Sequence, residues 1–82
     1  MLDPLRKTIR FSAFRDGDAD VWVATSDDRI TAEARTREDL QARLTAIVPD
    51  VLNSRGIAHG PLTIVIDWQD PRTSEQTTFA LA

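Results

Sequence analysis

The sequence predicts an α+β fold, an antiparallel sheet of four strands with one helix across one face, and three observations carry that prediction. Residues 8–15 and 62–68 alternate apolar and polar with the two-residue period of a strand. Between them Leu40, Leu44, Ile47, Val48, Val51 and Leu52 recur at helical spacing and form a single apolar stripe. The segments Asp16-Gly17-Asp18-Ala19-Asp20 and Ser26-Asp27-Asp28-Arg29 place turn-forming residues between short apolar runs. The expected order is β-β-β-α-β, with a fifth strand if residues 77–81 add one.

Each element follows from local rules. From Thr8 to Arg15, Ile9, Phe11 and Ala13 point one way, with Thr8, Arg10, Ser12 and Phe14 opposite. The aspartate-rich turn, with Gly17 free to take positive φ, returns the chain along Val21–Thr25. Ile30 to Arg35 reads as a third, shorter strand. Thr36 is suited to cap a helix, because its hydroxyl can accept from a free N–H of the first turn, where Glu38 and Asp39 complement the dipole. Pro49 has no N–H for the Thr45 carbonyl and predicts a kink or break, and Gly56 is placed to be a left-handed C-cap. His59-Gly60-Pro61 forms a loop before the strand Leu62–Trp68. Gln69–Gln76 reads as a polar connection, leaving Phe79 and Leu81 for a last strand.

Composition narrows the functional classes. A length of 82 residues fits one domain over residues 1–82. Absence of cysteine excludes disulfides, thiolate metal sites and cysteine nucleophiles. Ten basic against thirteen acidic residues give a net charge of −3, the wrong sign for a domain that neutralises phosphates. The apolar runs are too short to span a bilayer, and Met1-Leu2-Asp3-Pro4 lacks the start of a secretion signal, so the expectation is a cytoplasmic, non-membrane protein.

No set of residues assembles into catalytic machinery. Asp16, Asp18 and Asp20 have the spacing that opens a calcium loop, but Val21 replaces the sixth-position glycine and Asp27 the twelfth-position glutamate, so a hairpin turn is their expected role. His59, the lone histidine, has no cysteine or arguable serine to pair with, and an exposed loop position is expected. Arg35, Arg37 and Arg43 are interleaved with Glu33, Glu38 and Asp39, which favours solvated ion pairs over a phosphate-binding face. No metal or cofactor is expected, and no enzymatic activity.

Val21-Trp22-Val23-Ala24-Thr25-Ser26-Asp27-Asp28, then Glu33-Ala34, then Thr36 before a helix with Leu40 and Pro49-Asp50-Val51-Leu52, resembles the short stand-alone branch of the HicB-like antitoxin superfamily. The resemblance covers roughly residues 8–68 and implies a partly wrapped β-β-β-α-β sheet. It further implies a module that binds and blocks a small RNA-cleaving toxin of the HicA type. Two departures stand out. The roughly fourteen residues after Trp68 are too few for a helix-turn-helix, so no separate DNA-binding domain and no direct operator binding are expected. Arg29-Ile30 also follows the acidic pair where the family often places Gly-Leu or Gly-Cys.

The expected function is a non-catalytic, antitoxin-like protein-binding module; the alternative is an orphan small-molecule- or RNA-associated domain without a toxin. Alternation places Phe14, Trp22, Ala24 and Val65 on the face opposite the helix, and this face, or the edge strand beside it, is the candidate surface for a homo-dimer or higher homo-oligomer. Asp27 and Asp28 are the candidate contact for a small basic partner.

Overall fold

The computed structural model describes residues 6–70 and 73–81. Strands β1 (Lys7–Asp16), β2 (Val21–Ser26) and β3 (Thr31–Ala34) precede helix α1 (Arg37–Ser54), and β4 (Leu62–Asp70) and β5 (Thr73–Leu81) follow it. The five strands form one sheet in the order β3-β2-β1-β4-β5. The expected α+β architecture is present, but the sheet is mixed and not purely antiparallel, because β4 lies parallel to β1 from Lys7↔Leu62 to Phe14↔Gln69. Counting reversals gives the reason. Three strands joined by tight turns leave β3 running parallel to β1, and α1 then carries the chain back to the end where both began. Such a crossover returns the next strand parallel to the first.

The first hairpin also departs from expectation. Asp16 opposes Val21 across the four residues 17–20. The Asp16 carboxylate accepts from the N–H of Asp18 at 3.1 Å and of Ala19 at 3.3 Å, so it closes the turn as a local cap. Positive φ falls on Asp20, at 57°, and not on Gly17. An aspartate tolerates this conformation better than most residues, and here its carboxylate pairs with Arg15.

The helix begins and ends as the sequence predicts. Thr36 Oγ1 accepts from the N–H of Asp39 at 3.0 Å. At the other end Gly56 adopts φ 70°, the Ile57 N–H reaches the Leu52 carbonyl at 2.9 Å and the Gly56 N–H reaches that of Asn53 at 3.1 Å. These two bonds make a Schellman motif, with Ile57 turned in against the core. Pro49 does not break the helix, which runs on to Ser54.

Leu40, Leu44, Val48 and Leu52 are the buried residues of α1, one per helical turn. They meet a sheet face whose side chains are graded in size. Ala24, Ala32 and Ala34 occupy β2 and β3, the strands α1 approaches most closely, while Phe11, Ile64, Ile66 and Trp68 fill β1 and β4. Small side chains under the helix and large ones beside it keep the layer close-packed.

The polar stretch 69–76, expected to be a connection, is largely strand. Polarity did not prevent pairing because the side chains find partners across the ladder: Gln76 Nε2 donates to Asp67 Oδ1 at 2.7 Å and Trp68 Nε1 to Thr77 Oγ1 at 2.8 Å. The fifth strand therefore exists and is longer than residues 77–81 alone. Among the described residues no helix is long and apolar enough to cross a membrane.

Candidate functional site

The four residues expected on one open face are divided between two. Across paired strands, residues in register share a face. Ala13 opposes Ala24 and Arg15 opposes Trp22, so Trp22 and Ala24 lie on the helix side with Phe11 and Ala13. Ala24 is fully buried. Phe14 and Val65 do lie on the open side, but they are not neighbours: Phe14 is level with Gln69, whereas Val65 is level with Arg10. Phe14, opposite Val23, is 46% exposed, and Val65 is buried between Arg10 and Thr78 in register. Val21 and Val23 of β2 and Ala80 of β5 share the open face, and its other strand positions are polar, with Arg10 3.9 Å from Asp67. An aromatic patch of Phe14 with Trp22 does not form there.

Trp22 instead belongs to a cluster that reasoning from the sequence missed. Its ring meets that of Trp68 edge to face, with centroids 5.3 Å apart and planes at 83°. The Arg37 guanidinium carbon lies 4.9 Å from the Trp22 centroid and 4.8 Å from that of Trp68. Arg37 Nη1 also reaches Glu75 Oε2 at 2.5 Å. Three segments distant in sequence, β2, the first turn of α1 and the β4-β5 ladder, are thereby fastened together. Arg37 lies over both rings, so the cluster works as a structural clasp.

Of the other arginines considered with it, Arg35 and Arg43 border a shallow depression together with Glu33 and Asp39, a surface of mixed sign. His59, expected to be exposed, is half-buried, and its Nδ1 lies 3.0 Å from the Gly60 carbonyl oxygen.

Asp27 and Asp28 occupy the β2-β3 turn and are both exposed. The turn is held from three directions. Ser26 Oγ accepts from the Ile30 N–H at 3.1 Å, the Arg29 N–H reaches the Ser26 carbonyl at 3.1 Å, and Arg55 Nη1 donates to the Asp28 carbonyl at 2.6 Å. Among the described residues neither carboxylate pairs with a basic side chain. The result is a fixed backbone presenting two uncommitted negative charges, beside a shallow depression of about 320 Å³ that Thr8, Ile9 and Arg10 complete. Arg29, the position where glycine was expected from the resemblance, carries φ 65°. Replacing it with glycine removes the steric cost of a Cβ in this region, partly offset by the entropy of the freer unfolded chain. Arg29→Gly is expected to raise stability by about 0.5–1 kcal/mol in urea unfolding; a loss would show that its side chain holds the turn.

A family model described as a domain of unknown function, DUF1902, matches residues 8–76, from the start of β1 into β5. The crystal structure of hypothetical protein TTHA1013, from the extremely thermophilic bacterium Thermus thermophilus, is similar, with 38% identity and a TM-score of 0.71. That similarity covers 79% of this chain and 96% of the other. No curated protein matches the chain. With the matched span taking in the helix and all but the first residue of the first four strands, the chain belongs to the DUF1902 family.

Proposed function

We propose that the protein is a non-catalytic binding module of the antitoxin type, which sequesters or regulates a small basic protein, in the manner implied by its resemblance to HicB-like antitoxins. The observation that carries this reading is the β2-β3 turn. Its backbone is fixed by Ser26 and Arg55 before any partner arrives, so presenting Asp27 and Asp28 requires little further ordering. Two exposed carboxylates with no basic partner among the described residues complement a basic surface and steer its approach. The net charge of −3 acts in the same direction. The partner by resemblance is an RNA-cleaving toxin of the HicA type.

The neighbouring reading frame is expected to encode a small basic protein, and co-expression with it provides the test. A stoichiometric complex is expected, with affinity falling as salt rises. The Asp27→Asn/Asp28→Asn double variant is expected to bind at least about tenfold more weakly, as removal of close charge pairs at an interface does. Failure to co-purify, or equal binding by the double variant at low salt, would overturn the proposal.

A further inference from the structure

The two edges of the sheet are guarded very differently. β3 is only four residues long, carries the charged Glu33 and lies under α1. β5 spans nine residues, Thr73–Leu81, and contains no proline, lysine or arginine. Its pairing with β4 is unbroken from Asp70↔Thr73 to Leu62↔Leu81, so no bulge bends it away. Its single charged side chain, Glu75, is already matched by Arg37. Proteins usually shorten, charge or bend an exposed edge, because its outward N–H and C=O groups template another strand. Apart from Glu75, none of these devices is present in β5, and residues 76–81 carry none at all.

The side chains of β5 are also arranged for pairing. Phe79 and Leu81 point to the helix side and are only half-buried against the core, whereas Thr78 and Ala80 on the other side are exposed. We propose that β5 pairs antiparallel with β5 of a second copy of this chain, about a two-fold axis at Phe79, joining the two sheets into one. Phe79 then lies beside its symmetry mate, and Leu81 of each copy faces Thr77 of the other. The occupant is a second copy because the paired segment, residues 77–81, is electrically neutral. A neutral strand offers a basic protein no attraction and its own copy no repulsion. The uncommitted carboxylates, Asp27 and Asp28, lie on the other side of β1, at the β2-β3 turn. This inference is independent of the antitoxin reading and leaves that turn accessible.

The test combines light scattering over a concentration series with amide hydrogen exchange. The wild-type mass is expected to rise from 9.2 kDa towards twice that value, and exchange in residues 77–81 to slow at least about tenfold as the dimer fills. In the Thr78→Lys/Ala80→Lys variant each new lysine opposes another across the two-fold. That variant is expected to keep the monomer mass at every concentration, with an unchanged far-UV circular dichroism spectrum. A wild-type protein that stays monomeric would overturn the proposal, as would a variant that dimerises as well as wild type. Should the variant fail to fold, exchange in the wild type decides alone: rates in 77–81 that do not change with concentration overturn it.

Discussion

Ala24→Asp is expected to unfold the protein or leave it severely destabilised, by about 3–5 kcal/mol, because it places an unpaired charge in the core. Ala24 has no solvent exposure and lies on the sheet face beneath α1, where Leu40, Leu44 and Val48 supply the apolar cover. No basic side chain is buried there to pair with a new carboxylate, and Ser26 is the one polar residue in the core among the described residues. A domain of this size has roughly 5–15 kcal/mol of net stability, so the loss takes a large share of it. The companion substitution is Phe14→Asp, on the opposite face and 46% exposed. Its cost is expected to stay near or below about 1 kcal/mol, the span of side-chain preferences at a solvated strand position. Urea unfolding followed by circular dichroism compares the two. Similar costs would mean that Ala24 and Phe14 share an environment, contrary to the hairpin register.

That register marks the limit of what the residues disclose by themselves. Alternation within β1 and within β2 is legible, yet it does not say which parity of one strand joins which parity of the other. A hairpin settles that through its loop length. Here Asp16 opposes Val21, so odd-numbered residues of β1 share a face with even-numbered residues of β2. Trp22 and Ala24 therefore join the core and leave the candidate binding face. A turn of one residue more or fewer would have put them outside. The helix was more readable because its signals are local: the Thr36 cap, the one-per-turn apolar residues and the Gly56 terminator each act within a few positions. The acidic turn was legible as a turn. Its rigidity was not, since the Arg55 contact to the Asp28 carbonyl spans 27 positions.

Trp68→Ala is expected to cost about 3–5 kcal/mol, the usual range for removing a buried aromatic ring. Trp68 is 3% exposed and does three things at once. It fills the space beside Ala13 on the core face, supports Trp22 edge to face, and donates from Nε1 to Thr77 Oγ1 across the β4-β5 ladder. Its contact with Arg37 adds a term that packing alone does not contain. A guanidinium over an aromatic face contributes about 0.5–2 kcal/mol, more as water is excluded, and here one guanidinium serves two rings. The two contributions separate in a double-mutant cycle. Arg37→Ala and Trp68→Phe are measured singly and together, with phenylalanine retaining a ring but losing the indole N–H and the larger π surface. Residues that touch should couple by about 0.5–2 kcal/mol, whereas independent sites add to within roughly 0.3–0.5 kcal/mol. Because Arg37 stands in the first turn of α1 and Trp68 in β4, measurable coupling would mean that this contact ties the helix to the sheet. Additivity would reduce Arg37 to an ion-pair partner of Glu75, whose contribution salt should then screen away.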